Sequence, residues 1–280
     1  MKLEIINPHG FCAGVTNALR LAQSLDGVYC LHEIVHNELV VSSLKARGFK
    51  FVEDIREVPD GEMVLFSAHG VSPAVRKIAK EKNLKVVDAT CPFVSKVHRE
   101  ALRYASMGLP VVVIGKSSHA EVKGIVGEVE ESVCGVVTSP RLLDGIEKGA
   151  RIGVVSQTTM NSDEVKKIVE GLKKYYKVET MAEVCGATRE RQDAVRKFCR
   201  KAYDGKSKIA VLVLGSVNSS NTRRLAEIAE EEGALTYRAG NIEEVKALNF
   251  ADIEIFGITS GASTPESFFV EATEYIKGIL

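Results

Sequence analysis

One pattern recurs three times along the 280 residues and constrains the fold more than any other feature. Each copy opens with a cysteine, and the apolar residues after it are spaced by three, four and seven, which predicts an amphipathic helix. The three cysteines are Cys12, Cys91 and Cys185. Two aliphatic strands follow in each copy, and each strand ends in a polar loop. This order indicates parallel sheets, so we predict three pseudo-equivalent α/β lobes at residues 12–90, 91–184 and 185–280, with a strand from residues 1–11 joining the third.

The predicted strands lead into loops rich in Ser, Thr, Asn and His. The strands are Val28–Leu31 and Met63–Phe66, Val111–Ile114 and Ile152–Val155, and Ile209–Leu214 and Ile253–Ile258. Capping residues and proline predict helix starts at Ser72 with Pro73, at Ser162 and at Thr264 with Pro265, and a further helix near Thr222. Parallel sheets bind ligands beyond the carboxyl ends of their strands. We therefore expect the loops and the three cysteines to form one site.

The charge balance and the hydropathy exclude several classes of protein. Thirty-seven basic residues offset thirty-seven acidic ones, so no net field favours a nucleic acid or an anionic membrane. No apolar run approaches the roughly 20 residues that span a bilayer, and the N-terminus lacks the pattern of a secretory signal. We expect a cytoplasmic protein, in which cysteines are thiols or metal ligands and not disulfides.

The six cysteines divide into two groups by their context. Cys30, Cys134 and Cys199 lie within apolar runs or on a helix face, as small buried residues do. The other three stand at helix starts, where the helix dipole favours a thiolate. Zinc bound by three cysteines and a histidine is an alternative, but structural zinc ligands are usually closely spaced in pairs. Ligands from three lobes suit a larger cofactor, such as a cubane cluster with one open iron.

The chain resembles the 4-hydroxy-3-methylbut-2-enyl diphosphate reductases of the non-mevalonate isoprenoid pathway along nearly its whole length. The matching motifs are Asn7–Val15, Val35–Asn37, Ser67–Val71, Asp88–Pro92, His119 with Glu121, Gln157–Thr159, Cys185 with Ala187, Thr188, Arg191 and Gln192, Ser219–Asn221 and Gly261–Pro265. Two positions depart from the family: Ala120 stands where proline is common, and Val217 where lysine is frequent. We expect the first to affect the Glu121 loop and the second the charge near the diphosphate.

The resemblance implies a function and a cofactor. It implies reductive removal of the allylic hydroxyl of the diphosphate substrate, the last step of that pathway, giving isopentenyl and dimethylallyl diphosphate. It implies one [4Fe–4S] cluster per chain on Cys12, Cys91 and Cys185, at the centre of a trefoil of three α/β lobes. It also implies an external electron donor such as ferredoxin or flavodoxin.

The polar loops suit this substrate because a diphosphate in a neutral protein needs many short donors. The candidate substrate-binding residues are His36, His69, His119, Ser219, Ser220, Asn221 and Ser263. Each alone has a structural alternative, as a satisfied histidine or a helix cap. We assign no ligand-binding role to His9, His32 and His98.

Two further loop residues are predicted to be catalytic. Glu121 is the only carboxylate of the innermost loops, and we expect a raised pKa and a role as proton donor. Thr158 would orient the substrate hydroxyl or relay the proton. Their structural alternatives are a surface charge and a threonine bonded to the backbone.

Three rival functions remain to be separated from this one. A non-redox dehydratase would need the open iron but no electron supply. An iron–sulfur sensor would not need so many converging donors. A nucleotide-binding α/β protein is disfavoured because no glycine-rich phosphate motif follows the first strand.

Overall fold

The computed structural model describes residues 2–202, 208–250 and 253–279. Within these ranges the strands are β1 (Lys2–Ile5), β2 (Tyr29–Leu31), β3 (Lys50–Val52), β4 (Met63–Phe66), β5 (Lys85–Asp88), β6 (Val111–Ile114), β7 (Val133–Val137), β8 (Arg151–Ser156), β9 (Lys177–Thr180), β10 (Ile209–Leu214), β11 (Leu235–Ala239) and β12 (Ile255–Ser260). The α-helices are α1 (Ala13–Gln23), α2 (Glu38–Ala46), α3 (Pro73–Glu81), α4 (Pro92–Ser106), α5 (Ala120–Glu128), α6 (Ser162–Lys173), α7 (Gly186–Ala202), α8 (Ser220–Glu231), α9 (Ile242–Lys246) and α10 (Glu266–Ile279).

Three parallel four-stranded sheets form the three lobes, as predicted. The orders are β3-β2-β4-β5 in the first lobe, β7-β6-β8-β9 in the second and β1-β12-β10-β11 in the third. β1 joins the third sheet by pairing with β12, with Leu3 opposite Phe256, which confirms the expected place of the N-terminal strand. In every sheet one edge strand, β5, β9 or β1, comes shortly before one of the three cysteines.

The chain divides into two compact units, which differ from the predicted domains. One unit comprises Met1–Thr16, Val35–Leu44 and Gly186–Leu280, and includes the sheet of the third lobe. The other comprises Asn17–Ile34 and Lys45–Cys185, and includes the other two sheets. The boundaries at residues 90/91 and 184/185 stay predictions.

Burial explains why the aliphatic runs form the inner strands. All residues of β6 and β10 are buried, as expected for parallel strands that are covered on both faces. Gly153 of β8 lets helix α4 pack closely, because a Cβ at this position would lie 2.3 Å from Cγ of Tyr104. The glycine therefore helps to place the helix that begins after Cys91.

The helix starts agree with the sequence in one case and differ in others. Ser72 caps α3, with Pro73 as its first residue, as predicted. The prediction at Ser162 was wrong by one residue, because the side chain of Asn161 accepts the capping hydrogen bond from the N–H of Asp163. Helix α10 begins at Glu266, after Thr264 and Pro265.

Two boundaries in the third lobe also shift. Helix α8 begins at Ser220 and not near Thr222, because Ser219 is the capping residue. Strand β12 runs from Ile255 to Ser260, later than the predicted Ile253–Ile258, because it extends as far as β10 can pair with it. None of the helices in the described ranges is long and apolar enough to cross a bilayer.

Candidate active site

Cys12, Cys91 and Cys185 occupy the same place in their lobes. Each is half-buried and immediately precedes the first residue of α1, α4 or α7. The backbone N–H of each cysteine donates to the carbonyl of a residue two positions beyond the end of an inner strand. The distances are 3.0 Å from Cys12 to Ala262, 3.0 Å from Cys91 to Ala68 and 3.1 Å from Cys185 to Thr158. The repeated sequence pattern thus corresponds to a repeated backbone geometry.

The other three cysteines lie in apolar surroundings. Cys30 and Cys199 are fully buried, as predicted, while Cys134 is only half-buried. Burial raises the pKa of Cys30 to about 12 and the pKa values of Cys134 and Cys199 to about 11. These groups are therefore neutral thiols near pH 7, and thiols are poor metal ligands.

Glu121 is a buried carboxyl group held by one neighbour. It lies in the first turn of α5, not in the predicted loop, and is 1% exposed. Its Oε1 accepts the N–H of Thr158 at 2.7 Å, and its Oε2 is 3.0 Å from Thr158 Oγ1. Burial raises the pKa of Glu121 to about 7, against the opposing effect of the two hydrogen bonds from Thr158. A carboxyl group with this pKa can carry a proton at neutral pH.

Two predicted histidines lie near this carboxyl group in the same compact unit. The Nδ1 of His119 accepts the N–H of Glu121 at 3.2 Å and so caps α5. This bond requires Nδ1 to be unprotonated and leaves Nε2 as the donor of a neutral ring. The ring of His69 meets that of His119 edge-on, with 5.5 Å between the centroids.

The third lobe places Ser219, Ser220 and Asn221 at the start of α8. All three are buried, and Ser219 Oγ caps the helix by accepting the N–H of Thr222 at 3.2 Å. Asn221 Oδ1 accepts the N–H of Ala262 at 3.0 Å. The buried Nδ2 of Asn221 has no hydrogen-bond partner among the described residues. An unsatisfied donor beside a helix N-terminus is suited to an anion.

His36 and Ser263 lie close together in the same unit. Ser263 Oγ donates to the backbone carbonyl of His36 at 3.1 Å. Asn37, next to His36, is 1% exposed and caps α2 through Oδ1. Its Nδ2, like that of Asn221, is buried without a partner in the part of the chain that the structure describes. Asn37 is thus a second unsatisfied amide donor; it lies in the matching motif Val35–Asn37 but was not among the predicted site residues.

Arg191 is a further residue whose place the sequence did not reveal. It is 4% exposed, and its guanidinium donates to the carbonyls of Gly10 at 2.8 Å and Ala187 at 3.1 Å. These bonds tie the segment before Cys12 to helix α7. The available signal was an arginine in the buried stripe of that helix, together with Thr188 and Val195.

The histidines without an assigned site role make local contacts. His9 stacks on Phe269 with 3.7 Å between the ring centroids. His32 pairs with Glu53, and His98 Nδ1 lies 3.0 Å from Glu128.

The two departures from the family lie in different surroundings. Ala120 is the first residue of α5, a position that proline also accepts, and the N–H of Glu121 is still bound by His119. Val217 is 59% exposed and supplies no charge.

The residues present fit an iron–sulfur cluster. Thiolates are the protein ligands of such clusters, and three cysteines at helix starts are suited to an anionic group. The other three cysteines are kept as thiols by burial. One cysteine at a helix start therefore comes from each lobe.

Three parallel α/β lobes, each with a cysteine at an equivalent helix start, and a buried acid of raised pKa define a class of three-lobed α/β enzyme. The family model described as LytB protein matches residues 3–277. The chain therefore belongs to the LytB family, the family of 4-hydroxy-3-methylbut-2-enyl diphosphate reductases that its sequence resembles.

Curated relatives align with this chain over nearly its full length. The 4-hydroxy-3-methylbut-2-enyl diphosphate reductase of Chromohalobacter salexigens is 39% identical, with 100% of this chain and 90% of the relative covered. That of Haemophilus influenzae strain PittEE is 40% identical, with 99% and 90% covered.

Two solved structures are also similar. The Plasmodium falciparum reductase superposes with a TM-score of 0.88 at 30% identity, over 99% of this chain and 88% of that one. A second structure, of the reductase described as the terminal enzyme of the non-mevalonate pathway, has a TM-score of 0.67 at 31% identity, over 99% and 100%.

Proposed function

We propose that this chain reduces 4-hydroxy-3-methylbut-2-enyl diphosphate to isopentenyl and dimethylallyl diphosphate. The carbon–oxygen bond of the allylic hydroxyl breaks, and two electrons and two protons convert that hydroxyl to water and the carbon chain to the products. The observation that carries the proposal is the buried Glu121–Thr158 pair, in a chain that matches reductases along its full length. Loss of hydroxide needs a proton donor, and a carboxyl group with a pKa of about 7 provides one.

We infer that Cys12, Cys91 and Cys185 hold one [4Fe–4S] cluster per chain. Their equivalent helix starts and backbone hydrogen bonds support the inference, as does the family to which the chain belongs. When bound, such a cluster supplies electrons and a Lewis-acidic iron. We assign no ligand role to Cys30, Cys134 and Cys199, because burial raises their pKa values and so disfavours the thiolate.

The position of the acidic proton follows from the hydrogen bonds of Glu121. Oε1 accepts the N–H of Thr158, so in the neutral acid the proton lies on Oε2. Thr158 Oγ1 donates to Oε2 when the carboxyl group is ionised; in the neutral acid the direction reverses, so that Oε2–H donates to Oγ1 and the threonine hydroxyl can donate to the substrate. Thr158 thereby orients the substrate hydroxyl and relays the proton to it.

The diphosphate is assigned to His36, His69, His119, Ser219, Ser220, Asn221 and Ser263. Asn221 Nδ2 is a buried donor without a partner among the described residues, and burying such a donor is costly unless a ligand satisfies it. Asn37 Nδ2 joins the assignment for the same reason. His119 contributes a neutral ring whose Nε2 carries the proton. Ferredoxin or flavodoxin as the electron donor and a cytoplasmic location stay predictions.

Anaerobic preparation with iron and sulfide analysis tests the proposal. We expect about one cubane cluster per chain, with most of the cluster and all turnover lost in Cys12→Ser, Cys91→Ser and Cys185→Ser. Cys30→Ser, Cys134→Ser and Cys199→Ser are the matched controls and should keep the cluster. Loss of the cluster in one of these controls, with retention in Cys185→Ser, would refute the ligand assignment. Product formation without any reductant would support the non-redox dehydratase instead.

A further inference from the structure

The hydrogen bonds behind the three cysteines form a longer chain that is repeated in every lobe. The residue whose carbonyl accepts the cysteine N–H also donates its own N–H. Thr158 donates to Glu121 Oε1 at 2.7 Å, Ala262 to Asn221 Oδ1 at 3.0 Å, and Ala68 to the backbone carbonyl of Ile34 at 3.2 Å. The N–H and the C=O of one residue in each lobe therefore link a cysteine to a defined acceptor.

Glu121 and Asn221 are counterparts in this arrangement. Each is the second residue of the helix that follows a central strand, and each comes two residues after the capping side chain, His119 or Ser219. They are 1% and 3% exposed. The side-chain oxygen of each accepts the backbone N–H of the residue that binds the cysteine. Only the acid of Glu121 can release a proton.

The third lobe leaves little room for this peptide to move. A Cβ at Gly261 would lie 2.1 Å from Thr222 Oγ1, so the first turn of α8 packs directly against the segment that contains Ala262. Removing the oxygen of Asn221 would leave the partly buried N–H of Ala262 without its acceptor. The segment would then lose a hydrogen bond that fixes its position, and the Ala262 carbonyl that accepts the Cys12 N–H could shift.

We propose that Asn221 is a positioning residue for Cys12. It acts through the backbone of Ala262, as Glu121 acts on Cys185 through the backbone of Thr158. This rests on the proposed function, in which Cys12 is a cluster ligand. Asn221 then has two separate roles. Oδ1 accepts the N–H of Ala262 and so positions Cys12, and Nδ2 donates a hydrogen bond to the diphosphate.

The test distinguishes the role of the acceptor Oδ1 of Asn221 from that of the donor Nδ2. It uses substrate-free holoenzyme kept anaerobic. Asn221→Asp keeps the acceptor and removes the donor, whereas Asn221→Ala removes both. The measurement is the rate at which an excess of an iron(II) chelator removes iron, together with the electron paramagnetic resonance signal of the reduced cluster. Asn241→Ala is the matched control, because Asn241 caps α9 in the same lobe by accepting the N–H of Glu244.

Asn221→Ala should release iron about tenfold faster than wild type, because a partly buried donor loses its hydrogen-bond partner. Asn221→Asp should stay within about threefold of wild type on the same reasoning, while its binding of the diphosphate falls. The Asn241→Ala control should match wild type. Rapid iron loss from Asn221→Asp would overturn the proposal, even if the alanine variant fails to fold. Wild-type iron release from Asn221→Ala would also overturn it and leave Asn221 as a substrate ligand only. A wild type without a cluster would instead refute the proposed function.

Discussion

Replacing Glu121 with glutamine should slow reduction while leaving the fold, the cluster and substrate binding intact. The glutamine oxygen can still accept the N–H of Thr158, and the glutamine NH₂ group can donate to Thr158 Oγ1. Both hydrogen-bonded contacts with Thr158 are therefore kept. Only the transferable proton is lost. General acid catalysis contributes about a hundredfold to ten-thousandfold, so we expect a loss of that size in turnover and little change in binding.

The pKa of Glu121 makes the pH dependence of the wild type predictable. With a pKa of about 7, the acid form predominates below neutral pH. Above about pH 7 the rate that depends on this proton should fall about tenfold per pH unit. The glutamine variant should lack this decline.

The same pKa predicts an effect on stability. The folded pKa of about 7 lies above the ordinary value of 4.5, so the folded state binds the proton more tightly than the unfolded state. The stabilisation is complete below about pH 4.5 and is lost as the pH rises through 7; it amounts to about 3 kcal/mol in all. Between about pH 5.5 and about pH 8.5 the wild type should lose roughly 2 kcal/mol of unfolding free energy relative to the variant.

Single-turnover reduction with a chemical reductant, at several pH values, is the assay for both proteins. Substrate-induced changes in the cluster spectrum measure binding in parallel. Near-normal turnover in Glu121→Gln would refute the proton-donor assignment. A wild-type rate without a decline near pH 7 would show that the raised pKa has no part in the rate-limiting step.

Three further predictions concern neighbouring residues. Thr158→Val removes the side-chain hydrogen bond that opposes the raised pKa of Glu121; reduction should slow, and the decline in the pH–rate profile should move to higher pH, whereas an unmoved decline would contradict the assignment. His36→Ala and Ser263→Ala should each weaken diphosphate binding by about fivefold to a hundredfold per lost buried contact, without changing the iron content. Binding is measured by titrating the cluster spectrum with substrate, and a wild-type titration curve in either variant would contradict the assignment. Gly153→Ala places a methyl group against Tyr104 and should lower the unfolding free energy by about 1–3 kcal/mol. Gly278→Ala is the control, because nothing lies within 4 Å of the new Cβ and the backbone is not in the left-handed region; a Gly153→Ala variant as stable as this control would argue against the Tyr104 contact.

The sequence alone predicted the three parallel lobes and the strand that β1 adds to the third. Hydrophobic spacing and strand-length aliphatic runs are local features, and strong enough here to identify every inner strand, with a shifted boundary in β12. The threefold repetition also separated Cys12, Cys91 and Cys185 from the other cysteines. Motifs around these residues predicted the family, which the full-length relatives confirm.

Tertiary structure decided which polar groups are buried and which partners they have. The pKa of Glu121 depends on desolvation by residues distant in sequence and on Thr158, and no local pattern encodes that balance. The peptide links from Asn221 to Cys12 and from Glu121 to Cys185, and the bond of Arg191 to Gly10, likewise connect separate segments. Periodicity reports which face of an element is apolar, whereas hydrogen-bond partners are set only when the folded elements bring their ends together.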